Sequence, residues 1–138
     1  MDTDHLESII DAYQRGEADS DALRHAGALF AFDGIAGNGG LVGGAIENCF
    51  HAGDEDTLVR DAVEAFRWYG LGDVADLIER ADREYRRFRP TGGEDIDEAD
   101  EKLWDELDEL YEEVASDEAI ESVVRRRIPE LFVGDAPQ

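Results

Sequence analysis

Apolar residues recur along most of the chain at intervals of three and four, the spacing of one face of an α-helix. The first run, Leu6, Ile9, Ile10 and Tyr13, predicts a helix from about Asp4 to Arg15. Asp4 and Glu7 have the spacing of a capping box, and Gly16 follows as a stop. A second helix starts after Asp19 or Ser20, carries Leu23, Ala26, Leu29 and Phe30, and runs out between Gly34 and Gly37. A third is expected over Gly40 to Phe50 and a fourth over Glu55 to Tyr69, the latter with Leu58, Ala62, Ala65, Phe66 and Tyr69 inward. A fifth covers Asp73 to Arg87 and is followed by the Pro90-Thr91-Gly92-Gly93 loop. A sixth spans Asp95 to Ala115, with Ile96, Leu103, Leu107, Leu110, Tyr111 and Val114 on one side. Ser116 caps a seventh that ends before Pro129. Sustained period-two alternation is absent from the sequence. The pattern predicts an all-α fold, a single compact domain of six to seven helices over residues 1–133, with a flexible tail at 134–138.

Gly27 to Ile46 is long and mostly apolar, so a membrane span has to be considered. Asp33 and Asn38 interrupt it, glycine contributes little transfer energy, and Asn38-Gly39-Gly40 has the composition of a turn. Two buried helical segments with a break between them are expected instead. The N-terminus lacks the basic and apolar regions of a signal peptide, and a cytoplasmic location is expected.

Charge changes the picture. The 138 residues hold 36 Asp and Glu against 13 Lys and Arg, a net charge of −23. Direct binding to nucleic acid or to an anionic membrane is disfavoured, because both would repel the chain. Glu94 to Glu121 contains 15 of the acids and one base, Lys102. Arginines cluster at the ends of the fifth and seventh helices, as Arg80, Arg83, Arg86, Arg87 and Arg89, and as Arg125, Arg126 and Arg127. There they suit the helix dipole, with pairing to the sixth helix as a further possibility for both clusters.

On a wheel of about 100° per residue, half of the sixth helix is apolar and half is carboxylate. Asp97, Glu101, Asp105, Asp108 and Glu112 fall in one row, with Glu98 and Glu109 beside it. A solvated face normally interleaves both signs, and here lysine is nearly absent.

Catalytic and metal chemistry find little material. The single cysteine, Cys49, excludes a disulfide framework and a cysteine-based metal cluster. His5, His25 and His51 lack ligand spacing, and the stretch from Asp95 to Glu106 departs from a calcium loop at its third ligand and its turn glycine. Gly37-Asn38-Gly39-Gly40 is not a dinucleotide-binding motif, and no serine sits in a nucleophile elbow. No enzyme activity, cofactor or metal is expected.

Asn38-Gly39-Gly40-Leu41 resembles the N-G-G-[FL] motif of a family of small acidic bacterial proteins named for a DNA mimic. Arg67 to Ala75 (RWYGLGDVA) resembles that family's glycine-centred corner, and Leu103 to Tyr111, in the frame L-x-x-x-L-x-x-L-Y, its acidic helix. The resemblance covers roughly residues 20 to 132. Gly43 and Gly44 depart from it, standing where relatives often carry glutamine and an aromatic, and they point to close helix packing. Asn48 is offset from the family's asparagine. The resemblance implies an all-α fold and, for some relatives, binding to a helix-turn-helix transcription regulator at its DNA-reading surface.

The expected function is therefore a non-enzymatic, regulatory DNA mimic that binds a basic DNA-binding protein through Asp97, Glu98, Glu101, Asp105, Asp108, Glu109 and Glu112. Asn38, Gly39 and Gly40 are expected to be a structural corner, with Asn38 capping the helix that follows. Two alternatives stay open: acidity serving solubility, as in a halophile, and an immunity or antitoxin partner of a basic nuclease. A homodimer is also compatible with the sequence.

Overall fold

The computed structural model describes residues 3–53 and 57–129. Within them are seven α-helices and one π-helical segment, and no strand. The helices are α1 (Thr3–Gln14), α2 (Asp21–Gly39), α3 (Glu47–Ala52), α4 (Leu58–Trp68), α5 (Gly72–Phe88), α6 (Glu98–Val114) and α7 (Asp117–Arg127). The π-helical segment, Leu41–Ile46, runs directly into α3. The fold is all-α and forms one domain, as expected.

α2 lies at the centre because its apolar residues cover its whole circumference. His25 to Phe32 are all buried, as is Ala36. A helix apolar on every side is stable only when surrounded. α1 covers one side with Ile9, and α4 covers another with Ala62, Ala65 and Phe66. α4 and α5 form a hairpin, and α5 in turn packs on α6 and on the π-helical segment. Ile120 and Val124 bring α7 into the same core.

The chain turns by 115° between α2 and the segment that follows. Gly40, at the corner, has φ +91°, a conformation in which L side chains are strained. Across the corner the backbones touch. A Cβ on Gly39 would lie 2.9 Å from the Gly44 Cα, and one on Gly44 would lie 2.9 Å from the Ile35 carbonyl oxygen. Gly44 and Ala45 both donate to the Gly40 carbonyl, at 3.0 and 3.1 Å, so the first turn is widened from α to π. Among the described residues, no single helix is long and apolar enough to cross a membrane.

Several boundaries differ from expectation. α2 continues through Gly39, so Asn38 lies in its last turn, exposed, and caps nothing. The segment after the corner begins π-helical, and α3 extends to Ala52. α1 already includes Asp4, which places that residue inside the first turn and not before it. α6 starts at Glu98 because Asp97 is its cap: the Asp97 side chain accepts from the Asp100 amide at 2.8 Å. Ser116 caps α7 as expected, accepting from the Ala119 amide at 3.2 Å. The expected start of α4 at Glu55 and the tail at 134–138 lie outside the described residues.

Candidate functional site

The inward side of α6 is fixed by four contacts of different kinds. Trp104 fits against Gly43, whose absent side chain leaves room: a Cβ there would lie 3.2 Å from the ring. The same indole meets Tyr85 edge-on at 5.9 Å and stacks on Phe88 at 6.3 Å, both from α5. Leu107 is fully buried. The Tyr111 hydroxyl donates to the Asp33 carboxylate of α2 at 2.8 Å. Asp108 Oδ1 accepts from the Val42 amide at 2.8 Å, so an α6 carboxylate caps the π-helical segment from across the fold.

This contact redefines the expected row of carboxylates. Asp108 is half-buried and turned toward the Gly40 corner, where a Cβ on Gly40 would lie 2.7 Å from Asp108 Oδ2. Gly40 thus serves both the positive φ and the close approach of the carboxylate. Burial pushes the Asp108 carboxyl above its ordinary value. The Val42 amide pulls it back, and the charges of Asp105 and Glu112 push it up again. Asp97 remains exposed, but its carboxylate is engaged as the helix cap.

The inward face is accordingly centred on Trp104, Leu107 and Tyr111, roughly 60° round the helix from Ile96 at about 100° per residue. Leu110, expected in the core, falls at the edge and is 38% exposed. The outward face carries Glu98, Glu101, Asp105, Glu106, Glu109, Glu112 and Glu113, all exposed. Of the α6 acids, only Asp100 is in an ion pair among the described residues, with Arg87 at 3.0 Å. Glu98, Glu101, Asp105, Glu109 and Glu112 of the expected set are therefore together on one open surface. Glu106 and Glu113 join them, and Asp108 faces away.

Several arginines bind partners away from this face. Arg89 reaches Glu47 of α3 at 2.5 Å, and Arg86 pairs with Asp82 on its own helix at 3.4 Å. Arg67 bridges to Asp76 and Glu79. Arg127 stacks over Trp68 at 4.2 Å. Arg87, which links Glu84 to Asp100, makes an ionic connection between α5 and α6.

No group of His, Cys, Asp and Glu among the described residues is arranged to hold a metal ion. His25 is buried and stacks on Trp68 at 5.1 Å. Burial, followed by the charge of Arg24, lowers its pKa and favours the neutral ring.

Residues 17–127 match the family model of DMP19-like proteins. The chain belongs to the DMP19-like family. This corrects the assignment to a family defined by an N-G-G motif: the match identifies DMP19-like proteins and is not evidence for an N-G-G family of DNA mimics. DMP19 itself is a DNA-mimic protein, and membership is consistent with a coarse DNA-mimic reading of the chain. In this DMP19-like fold the Asn38-Gly39-Gly40 stretch is a packing corner. No curated protein and no solved structure gives a significant match.

Proposed function

We propose that the chain is a regulatory DNA mimic that occupies the basic surface of a DNA-binding protein in the cytoplasm, using the outward face of α6. The observation that carries this reading is the composition of that face. Seven exposed carboxylates lie between Glu98 and Glu113 with Lys102 as the lone base, and none of the seven is in an ion pair among the described residues. This span is about 22 Å long at about 1.5 Å per residue. Duplex DNA carries about 13 phosphate charges over the same length, on both strands and all sides. One helix face therefore approaches the charge density of one face of a duplex.

Density alone does not make a mimic, because mobile charges are costly to order. Here α6 is held in rotation by Trp104, Tyr111 and Asp108, so its carboxylates are positioned before a partner arrives. Successive members of the series Glu98, Glu101, Asp105, Glu109 and Glu112 are three or four residues apart, a rise of about 4.5–6 Å. Arginine and lysine side chains of a DNA-reading surface would meet them as they meet a backbone, with counterion release driving association. A helix-turn-helix regulator supplies such a surface.

The reading is tested by capture of the partner from native lysate at low salt, followed by titration with duplex DNA. The expected result is a basic DNA-binding protein displaced by duplex, with affinity falling by orders of magnitude between about 50 and 200 mM salt. Capture of a partner that stays bound in the presence of DNA, or binding indifferent to salt, contradicts it.

A further inference from the structure

Beside the α4–α5 hairpin lies a cleft of about 890 Å³ that α3 also lines. The antiparallel pair is closed near its corner, where Arg67 bridges to Asp76 and Glu79. Phe50 and the buried Cys49 of α3 contribute to the lining. Val59 and Val63 line the α4 wall. Arg60 on α4 and Arg83 on α5 both line the cleft and are exposed, and neither has an ion pair among the described residues. Arg86 lies over the Phe50 ring at 5.3 Å.

In a chain of net charge −23, carboxylates are available almost everywhere to neutralise an arginine. Four arginines and three carboxylates line the cleft: Arg67 pairs with Glu79 and Arg86 with Asp82, which leaves Arg60 and Arg83 against Glu64 alone, a net positive lining in an acidic chain. Guanidinium groups bind planar anions in bidentate fashion, and a cleft of this volume is in the range that takes small molecules, roughly 300–1,000 Å³. From Arg60 and Arg83, which line the cleft together with the apolar Phe50, Val59 and Val63, we infer that this cleft binds a small anionic amphiphile. Its carboxylate, sulfonate or phosphate pairs with the two arginines and its apolar body packs on Phe50, Val59 and Val63. The site is separate from the α6 face and does not depend on that face binding a protein.

The direct test is titration of the full chain with 8-anilinonaphthalene-1-sulfonate, an anionic amphiphile whose fluorescence reports transfer to an apolar site. The expected result is saturable binding at one site per chain, weakened at least tenfold by Arg83→Glu or Arg60→Glu and largely restored by Arg83→Lys. Both arginines are exposed and outside the core, and unchanged near-ultraviolet circular dichroism of each variant confirms that the fold is intact. N-phenyl-1-naphthylamine, which has the same ring systems without the sulfonate, should bind at least tenfold more weakly and be indifferent to both charge reversals. Should a variant lose its near-ultraviolet signal, the comparison of the two probes on the parent chain decides. Absence of saturable binding to the parent, equal affinity for the neutral probe, or anion binding unchanged in a folded Arg83→Glu variant overturns the proposal. An acidic peptide that displaces the sulfonate probe while laurate does not would assign the cleft to a protein partner and overturn it equally.

Discussion

Asp108 and Asp105 are three residues apart on one helix and have opposite roles. Asp105 is exposed, whereas Asp108 accepts the Val42 amide at the Gly40 corner. Removing the acceptor leaves a half-buried amide without its partner, which costs about 1–3 kcal/mol. Asp108→Ala is therefore expected to lower unfolding free energy by that amount in urea titration, and Asp108→Asn, which keeps an oxygen acceptor, by less. Asp105→Asn is expected to stay within about 0.5 kcal/mol of the parent. Equal effects at the two positions would show that Asp108 does not cap the corner. Gly40→Val is expected to cost more than about 1 kcal/mol, since it adds a positive-φ penalty to a clash with the same carboxylate. An unchanged melting temperature would count against that packing. Nothing in a single sequence marks Asp108 apart from its acidic neighbours. Its partner lies 66 residues away, and only the fold brings them together.

At the scale of elements, the periodicity carried most of the information. The apolar stripes of α1, α4, α5 and α7 are the faces that pack, and the proline and glycine positions mark their ends. The rotation of α6 was less legible. A wheel centred on its aliphatic residues leaves Trp104 to one side, yet its ring, with Tyr111, anchors the helix through Gly43, Tyr85 and Asp33. An aromatic ring reaches farther than leucine and draws the buried face toward itself. Gly43 and Gly44 did signal the close packing, because paired small residues leave space for a neighbour's backbone or ring. The π-helical turn had no such signal: it follows from the backbone contact of Gly39 with Gly44. The α6 cap offers a prediction at this scale. Asp97→Ala is expected to cost about 1 kcal/mol and to fray the first turn. Amide hydrogen exchange at Asp100 and Glu101 checks it, and unchanged protection there would refute the cap.

For the molecule as a whole, a charge of −23 means that folding works against self-repulsion. Two carboxyls sharpen the pH dependence. Asp33 is pushed above its ordinary value by burial, against the pull of the Tyr111 hydrogen bond and with the added push of Asp117. Asp108 is pushed up chiefly by burial as well. In the window from their ordinary value of 3.8 up to the raised ones, the folded state binds more protons than the unfolded chain. Their contribution to stability is therefore present at low pH and lost as pH rises through the raised values. Glu94 acts in the other direction: hydrogen bonds from Thr91 hold its pKa below the ordinary 4.5, and its contribution is lost only as pH falls through that lowered value. His25 opposes the two aspartates below its ordinary value of 6.5, because burial lowers its folded pKa and the unfolded chain there binds more protons. The melting temperature is expected to rise with salt as the repulsion is screened. A melting temperature that falls as salt is added would contradict the self-repulsion.

The central claim is that placement of charge on α6, and not net charge, produces binding. The most direct measurement compares two double reversals that change net charge equally: Asp105→Lys with Glu109→Lys on the α6 face, and Glu7→Lys with Asp11→Lys on the exposed side of α1. Affinity for the captured basic partner is measured for both at about 50 mM salt. The account predicts that the α6 pair loses binding by two orders of magnitude or more while the α1 pair stays within a few-fold of the parent, both melting near the parent temperature. Equal losses from the two pairs, or full binding by the α6 pair, would contradict it.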